Sequence, residues 1–176
     1  FRDREENLWI GLFNRGLAGV TTNAFFFNKP ESNKEITFIG SLGGRTVAGT
    51  KSGLWDFDPE TGSFSSFRPL QGMTGGSGIN TWTTDEEGNV WIGTVSDGVW
   101  MMKNGGTPRR FFRSVNPGQN HVNSIAVDGD NIWLGTSDGV LLLERESGRQ
   151  KAVFTTMEML PHNYISHIVV NRPGEV

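Results

Sequence analysis

The sequence predicts an all-β protein built from β-propeller blades of four antiparallel strands, and three observations predict it. First, a four-residue phrase returns. Trp9-Ile10-Gly11-Leu12 recurs as Trp91-Ile92-Gly93-Thr94 and Trp133-Leu134-Gly135-Thr136, with a degenerate copy at Val47-Ala48-Gly49-Thr50. Its glycines stand 38, 44 and 42 residues apart, and self-similarity at roughly 40–45 residues marks stacked blades. Second, each period divides into four short apolar runs separated by Asp/Gly turns, the pattern of an antiparallel sheet. Third, no useful stretch carries a 3.6-residue apolar period. The 24 glycines and the absence of cysteine suit a turn-rich β chain without disulfides or thiolate metal sites.

The last complete repeat is the cleanest. Val122 to Val127 forms a first strand, Asp128-Gly129-Asp130-Asn131 a turn and Ile132 to Thr136 a second strand. Ser137-Asp138-Gly139 turns again, and Val140 to Leu143 and Gln150 to Phe154 complete the sheet. The preceding repeat matches slot for slot: Ile79 to Thr84, a turn at Asp85 to Asn89, Val90 to Thr94, a turn at Asp97-Gly98, Val99 to Met102, and a fourth strand near Arg110 to Arg113. A less regular repeat runs from Ile36 through Arg45 to Thr50 and Gly53 to Phe57, ending at Phe64 to Phe67.

About four repeats thus fill residues 1–176, with blade units near 1–34 (partial), 35–78, 79–121, 122–163 and 164–176, the last a beginning. Phe1-Arg2-Asp3 reads as the tail of a first strand, and Tyr164 to Val170 as a first strand. Two arrangements stay open, an arc of a larger propeller or a four-bladed ring closed by the last strand. Phe1–Trp9 and Ile168–Val176 share one repeat phase and cannot fill one site, which favours the arc.

Most conspicuous residues belong to this repeat. The glycine after each motif Trp-Ile or Trp-Leu is expected to admit a close neighbour. Gly16, Gly53, Gly98 and Gly139 suit turn positions of positive φ. Asp3, Asp85 and Asp128, with Asn171 in the equivalent slot, open hairpins where a short acceptor bonds turn amides. Asp128-Gly129-Asp130 reads as such a turn rather than a calcium loop, which needs six or more oxygens. All six tryptophans (9, 55, 82, 91, 100 and 133) occupy apolar slots and are expected between blades.

Composition excludes some partners. A net charge of −3 gives no reason to expect nucleic acid or an anionic membrane, and no apolar run approaches a membrane span. The chain opens in mid-pattern without an initiator Met or signal peptide, so it reads as a fragment. His121, His162 and His167 form no HExxH pair and join no GxSxG motif. Gln71 to Gly78 is glycine-rich but lacks the Lys-Ser/Thr of a phosphate loop, and reads as an inter-blade connection. Arg109, Arg110 and Arg113 with Phe111 and Phe112 make one basic-aromatic cluster, read as a blunted edge strand. No catalytic residue, metal ligand or cofactor is expected. For ligand contacts the choice falls on loops held by a rigid frame: Arg45, Asn120, His121 and His162.

The phrase Asp85-Glu86-Glu87-Gly88-Asn89-Val90-Trp91-Ile92-Gly93-Thr94 with Asp97-Gly98-Val99, and the later half at Gly53-Leu54-Trp55-Asp56-Phe57-Asp58-Pro59-Glu60-Thr61-Gly62-Ser63-Phe64, resemble the two-component regulator propeller repeat. The resemblance departs at Val47-Ala48-Gly49-Thr50, which lacks the Trp, and at Leu12, which replaces Thr. It implies seven-bladed propellers in the periplasmic or extracellular part of bacterial sensors, often ahead of a membrane helix and a histidine kinase or diguanylate cyclase. It further implies an oligosaccharide or other small-molecule ligand, neighbouring propeller or kinase domains as partners, and a homodimer. It marks the scaffold and assigns no binding residue. A protein-interaction scaffold without a ligand is the alternative, and a propeller-based polysaccharide lyase or hydrolase a third.

Overall fold

The alternation of apolar runs and Asp/Gly turns is realised as antiparallel sheets in a computed structural model. It describes residues 8–12, 16–20, 25–28, 36–42, 44–50, 53–66, 77–103, 106–158 and 160–170. The chain divides into two compact units, Phe1–Ile79 and Asn80–Val176. Phe1-Arg2-Asp3, residues 71–76 of the glycine-rich connection, and Asn171 lie outside the described residues.

In the first unit β1 (Leu8–Leu12), β2 (Gly16–Val20) and β3 (Phe25–Asn28) form one sheet in chain order. A second sheet holds β4 (Ile36–Leu42), β5 (Arg45–Thr50), β6 (Gly53–Asp58) and β7 (Ser63–Ser66), also in chain order. Ala48 and Phe57 are buried there against Ile36, Ile39 and Phe64. The degenerate phrase keeps its glycine for a steric reason: a Cβ on Gly49 would lie 1.8 Å from the ring of Phe38.

The second unit holds the two regular repeats. β8 (Ile79–Thr84, its first residue closing the first unit), β9 (Val90–Thr94), β10 (Val99–Met102) and β11 (Arg109–Phe112) make the third sheet. β12 (Val122–Asp128), β13 (Asn131–Thr136), β14 (Gly139–Glu144) and β15 (Gln150–Phe154) make the fourth. Within each of these two sheets sequential strands pair antiparallel, so turns alternate between the two ends of each sheet. One end carries turns 85–89 and 129–130, residues 103 and 106–108 and loop 145–149, and the other carries 95–98, 137–138 and the described connector 113–121. The described helical turns are 3₁₀, Pro117–Asn120 and Thr156–Glu158.

The core between these sheets is apolar and drawn from both. Trp91, Val99, Met101, Val122, Ile125, Ile132, Leu134, Leu141 and Leu143 are buried together, with Phe111, Phe112, Val127 and Val153 against them. Trp91 meets Phe111 edge-on, with ring centroids 4.8 Å apart at 85°. Full burial of a side chain of this kind contributes about 1.5–3 kcal/mol.

Blade stacking explains two sequence features. A Cβ on Gly93 would stand 2.4 Å from Thr81 Cγ2 and 2.8 Å from Val122 Cγ1, and one on Gly135 2.8 Å from Ile165 Cγ2. The motif glycine therefore admits a close neighbour, as expected, drawn in both cases from the start of the following repeat. Beside it runs a recurring clasp. Thr37 Oγ1 donates to the Ile79 carbonyl at 3.2 Å, Asn80 Nδ2 to Val122 at 3.0 Å, and Asn123 Nδ2 to Ile165 at 2.9 Å. The separation is 42 residues each time.

Three expectations need correction. Residues 163–170 pack against the fourth sheet at β12 and β13, with Ile165 N donating to the Thr136 carbonyl and Ile168 N to Ser124 Oγ. Among the described residues they form no strand. The fourth strand of the third sheet is Arg109–Phe112, one residue earlier than predicted. Of the tryptophans, Trp91 is buried, whereas Trp55, Trp82, Trp100 and Trp133 are half-buried. For Trp100 the reason is visible: its indole lies under Arg110, 5.4 Å from the ring centroid, and its Nε1 donates to Asp97. The side chain of Trp9 lies outside the described residues.

Candidate ligand-binding cleft

The turn Asp85 to Asn89 builds an organised polar structure in the second unit. Asp85 Oδ1 accepts the backbone amides of Glu87 at 3.0 Å and Asn89 at 2.8 Å, the turn-closing role predicted for it. Its Oδ2 accepts Asn89 Nδ2 at 3.0 Å and the indole Nε1 of Trp91 at 2.9 Å. The motif's Asp, Asn and Trp are thus one hydrogen-bonded module. Arg145, just past β14 in the fourth sheet, reaches across with Nη2 at 2.9 Å from Asp85 and 3.0 Å from Glu87. The Asp85 side chain is only 2% exposed. Burial works to raise its carboxyl; the hydrogen bonds from Trp91 and Asn89, with the Arg145 charge, outweigh burial and hold it below the ordinary carboxylate value.

Above this module opens a cleft of about 270 Å³, lined by Glu87, Asn89, Trp91, Met101, Lys103, Arg109, Asp130, Arg145 and Glu146. The third sheet supplies the first six and the fourth sheet the rest. The arrangement offers charged groups of both signs on a rigid frame, with an indole at the floor. Among the described residues no cluster of three or more His, Asp or Glu is placed to hold a metal ion.

The four residues expected to touch ligand lie elsewhere. Arg45 opens β5 in the first unit and pairs with Asp56 at 2.9 Å. Asn120 is 4% exposed, and its side chain bonds the amide and carbonyl of Ser114, tying down the connector between third and fourth sheets. His121 is half-buried in that connector, and its carbonyl accepts from Ser137 N. His162 is exposed on the next connector, where its Nδ1 accepts from Tyr164 N. Asn120, His121 and His162 therefore share the end opposite the cleft. Sequence reasoning missed the cleft residues, although one signal pointed there. Arg109 belonged to the basic-aromatic cluster, and its neighbours Arg110 and Arg113 turn instead to Asp97, at 3.0 and 3.6 Å.

The fold and its repeat define a class: the chain corresponds to part of a β-propeller. Residues 116–138 match the family described as two component regulator propeller, so the chain carries a repeat of that family. The match runs from the connector through β13 to the Ser137-Asp138 turn, a stretch closed on itself by Asn116 Nδ2 donating to Asp138 at 2.6 Å. In fold the chain is similar to the extracellular domain of BT4673, a proposed one component system from B. thetaiotaomicron, with TM-score 0.72 and 20% identity over 94% of this chain and 24% of that one. It is also similar to the β-propeller domain of Cps50 (Swd1) from Myceliophteria thermophila, with TM-score 0.60 and 14% identity over 84% of this chain and 57% of that domain. The chain spans about a quarter of the BT4673 structure. No curated protein matches it.

Proposed function

We propose that the chain is part of the ligand-sensing, extracytoplasmic propeller of a bacterial signal-transduction regulator. It binds an oligosaccharide or another small molecule and passes occupancy to neighbouring propeller or kinase domains, without catalysing a reaction itself. The match of residues 116–138 to the two component regulator propeller carries this reading, and the likeness in fold to an extracellular domain supports it. No described helix is long and apolar enough to cross a membrane.

The cleft supplies a physical route for a signal. Its two walls belong to different blades, joined at this end by the Asp85–Arg145 pair. A ligand that touches both walls favours one spacing of the blades over another, and it shifts that equilibrium only by its difference in affinity for the two. A preference of about 5–150-fold corresponds to roughly 1–3 kcal/mol of coupling.

Calorimetry of the full-length protein against an oligosaccharide library tests the reading. Saturable binding that changes the output activity is expected. Absence of binding across the library, together with stable capture of a protein partner, would replace it with the interaction-scaffold reading. The exposed Val115 and Met157 on the connectors would then be the first contacts to examine.

A further inference from the structure

The unpaired charges around the cleft are sorted by wall, while Glu87 on the third-sheet side and Arg145 on the fourth-sheet side are taken up with each other. Lys103 follows β10 and Arg109 opens β11 on the third-sheet side. Asp130 lies in the β12–β13 turn and Glu146 in the β14–β15 loop on the fourth-sheet side. All four are exposed, and among the described residues none of these side chains makes a hydrogen bond or ion pair. Arg145, by contrast, is closed onto Asp85 and Glu87, so it offers no free cation. Two unpaired cations thus face two unpaired carboxylates across a space that would hold about nine waters at roughly 30 Å³ each.

A simple anion gains at the Lys103–Arg109 wall but meets like charge opposite, and a simple cation fares the same in reverse. A neutral polyol uses neither wall fully. Complementary potentials favour a ligand with both signs, held one way round. We infer that the cleft takes a small zwitterion, an ammonium and a carboxylate at opposite ends of a body the size of one sugar ring or a dipeptide. The carboxylate lies toward Lys103 and Arg109 and the ammonium toward Asp130 and Glu146. Its biological sense rests on the sensing reading, but its binding chemistry is tested separately.

The test is calorimetry on the full-length protein with probes of one ring size: 2-amino-2-deoxyglucuronic acid, glucuronic acid, glucosamine and glucose, with glycylglycine as the peptide arm. The amino acid sugar, the dipeptide or both should bind at least about tenfold more tightly than either singly charged sugar, and competition between the two tells whether they share the cleft. Lys103→Gln and Glu146→Gln should each weaken the zwitterion about fivefold or more while leaving the melting temperature unchanged, since both residues are exposed and unpaired. Equal binding of glucuronic acid, insensitivity to both substitutions, or no binding of any probe would overturn the inference. A library oligosaccharide that binds when these probes fail leaves the sensing function standing and removes only the zwitterion. A zwitterion that binds without changing output does the reverse.

Discussion

Removing the carboxylate of Asp85 should destabilise the second unit more than any surface substitution in it. Asp85→Ala deletes one acceptor serving the Trp91 indole, the Glu87 and Asn89 amides, the Asn89 side chain and Arg145. Trp91 is 1% exposed and Asn89 6% exposed, so the indole Nε1 and the Asn89 amide lose their acceptor inside the protein, at about 1–3 kcal/mol each. Stranding a buried charge costs a further 3–5 kcal/mol or so in full, but Arg145 keeps Glu87 at 3.0 Å and escapes most of that. The expected loss is about 3–5 kcal/mol for Asp85→Ala. It is roughly 1–3 kcal/mol for Asp85→Asn, whose amide oxygen can still accept.

Urea unfolding followed by tryptophan fluorescence measures both. The pH dependence follows from sign. The folded carboxyl lies below its ordinary 3.8, so its stabilisation is complete above the unfolded pKa and is lost as pH falls through the folded value. The gap between wild type and Asp85→Asn should be constant from about pH 7 to 5 and close only below about pH 4. A loss under about 1 kcal/mol for Asp85→Ala, or a gap that closes near neutral pH, refutes the reasoning.

Three further outcomes are expected. Trp91→Phe should cost at least about 1 kcal/mol more than Trp133→Phe in the same denaturant assay, because Trp91 Nε1 bonds Asp85 whereas the buried Trp133 Nε1 has no described partner. Gly93→Ala should lose about 1–3 kcal/mol through overpacking against Thr81 and Val122, read as a lower melting temperature. Asn123→Ala should speed amide exchange at Ile165 and Ile168 while leaving β9 protected, since it removes the clasp on that segment, whereas Asn80 Nδ2 loses Asn123 Oδ1 but keeps the Val122 carbonyl.

The repeat was legible because propeller packing repeats its steric demands. Gly93 and Gly135 each face a side chain from the start of the next repeat, Val122 and Ile165, so the same small residue returns at each step. Gly98 and Gly139 were readable as positive-φ turn positions, and they stand at +73° and +96°. The cleft was not legible, because it depends on pairs brought together by stacking. Asp85 and Arg145 stand 60 residues apart and meet only when two blades pack. The turn of the last repeat is one residue shorter between Asp and Trp than that of its neighbour (128 to 133 against 85 to 91), a difference the shared phrase conceals. Arg45, Asn120, His121 and His162 were chosen because they sit on connections held by a rigid frame, a criterion that does not tell one end of the sheets from the other. The structure gives His162 a local bond to Tyr164 N at the far end of the sheets.

Hydrogen–deuterium exchange of the full-length protein, with and without whichever ligand the calorimetry identifies, tests the central claim most directly. The account predicts ligand-dependent protection at residues 85–89, 103 and 106–109 and 145–149, around the cleft. Protection confined to the opposite connectors, 114–121 and 155–163, or none in the second unit, would contradict it.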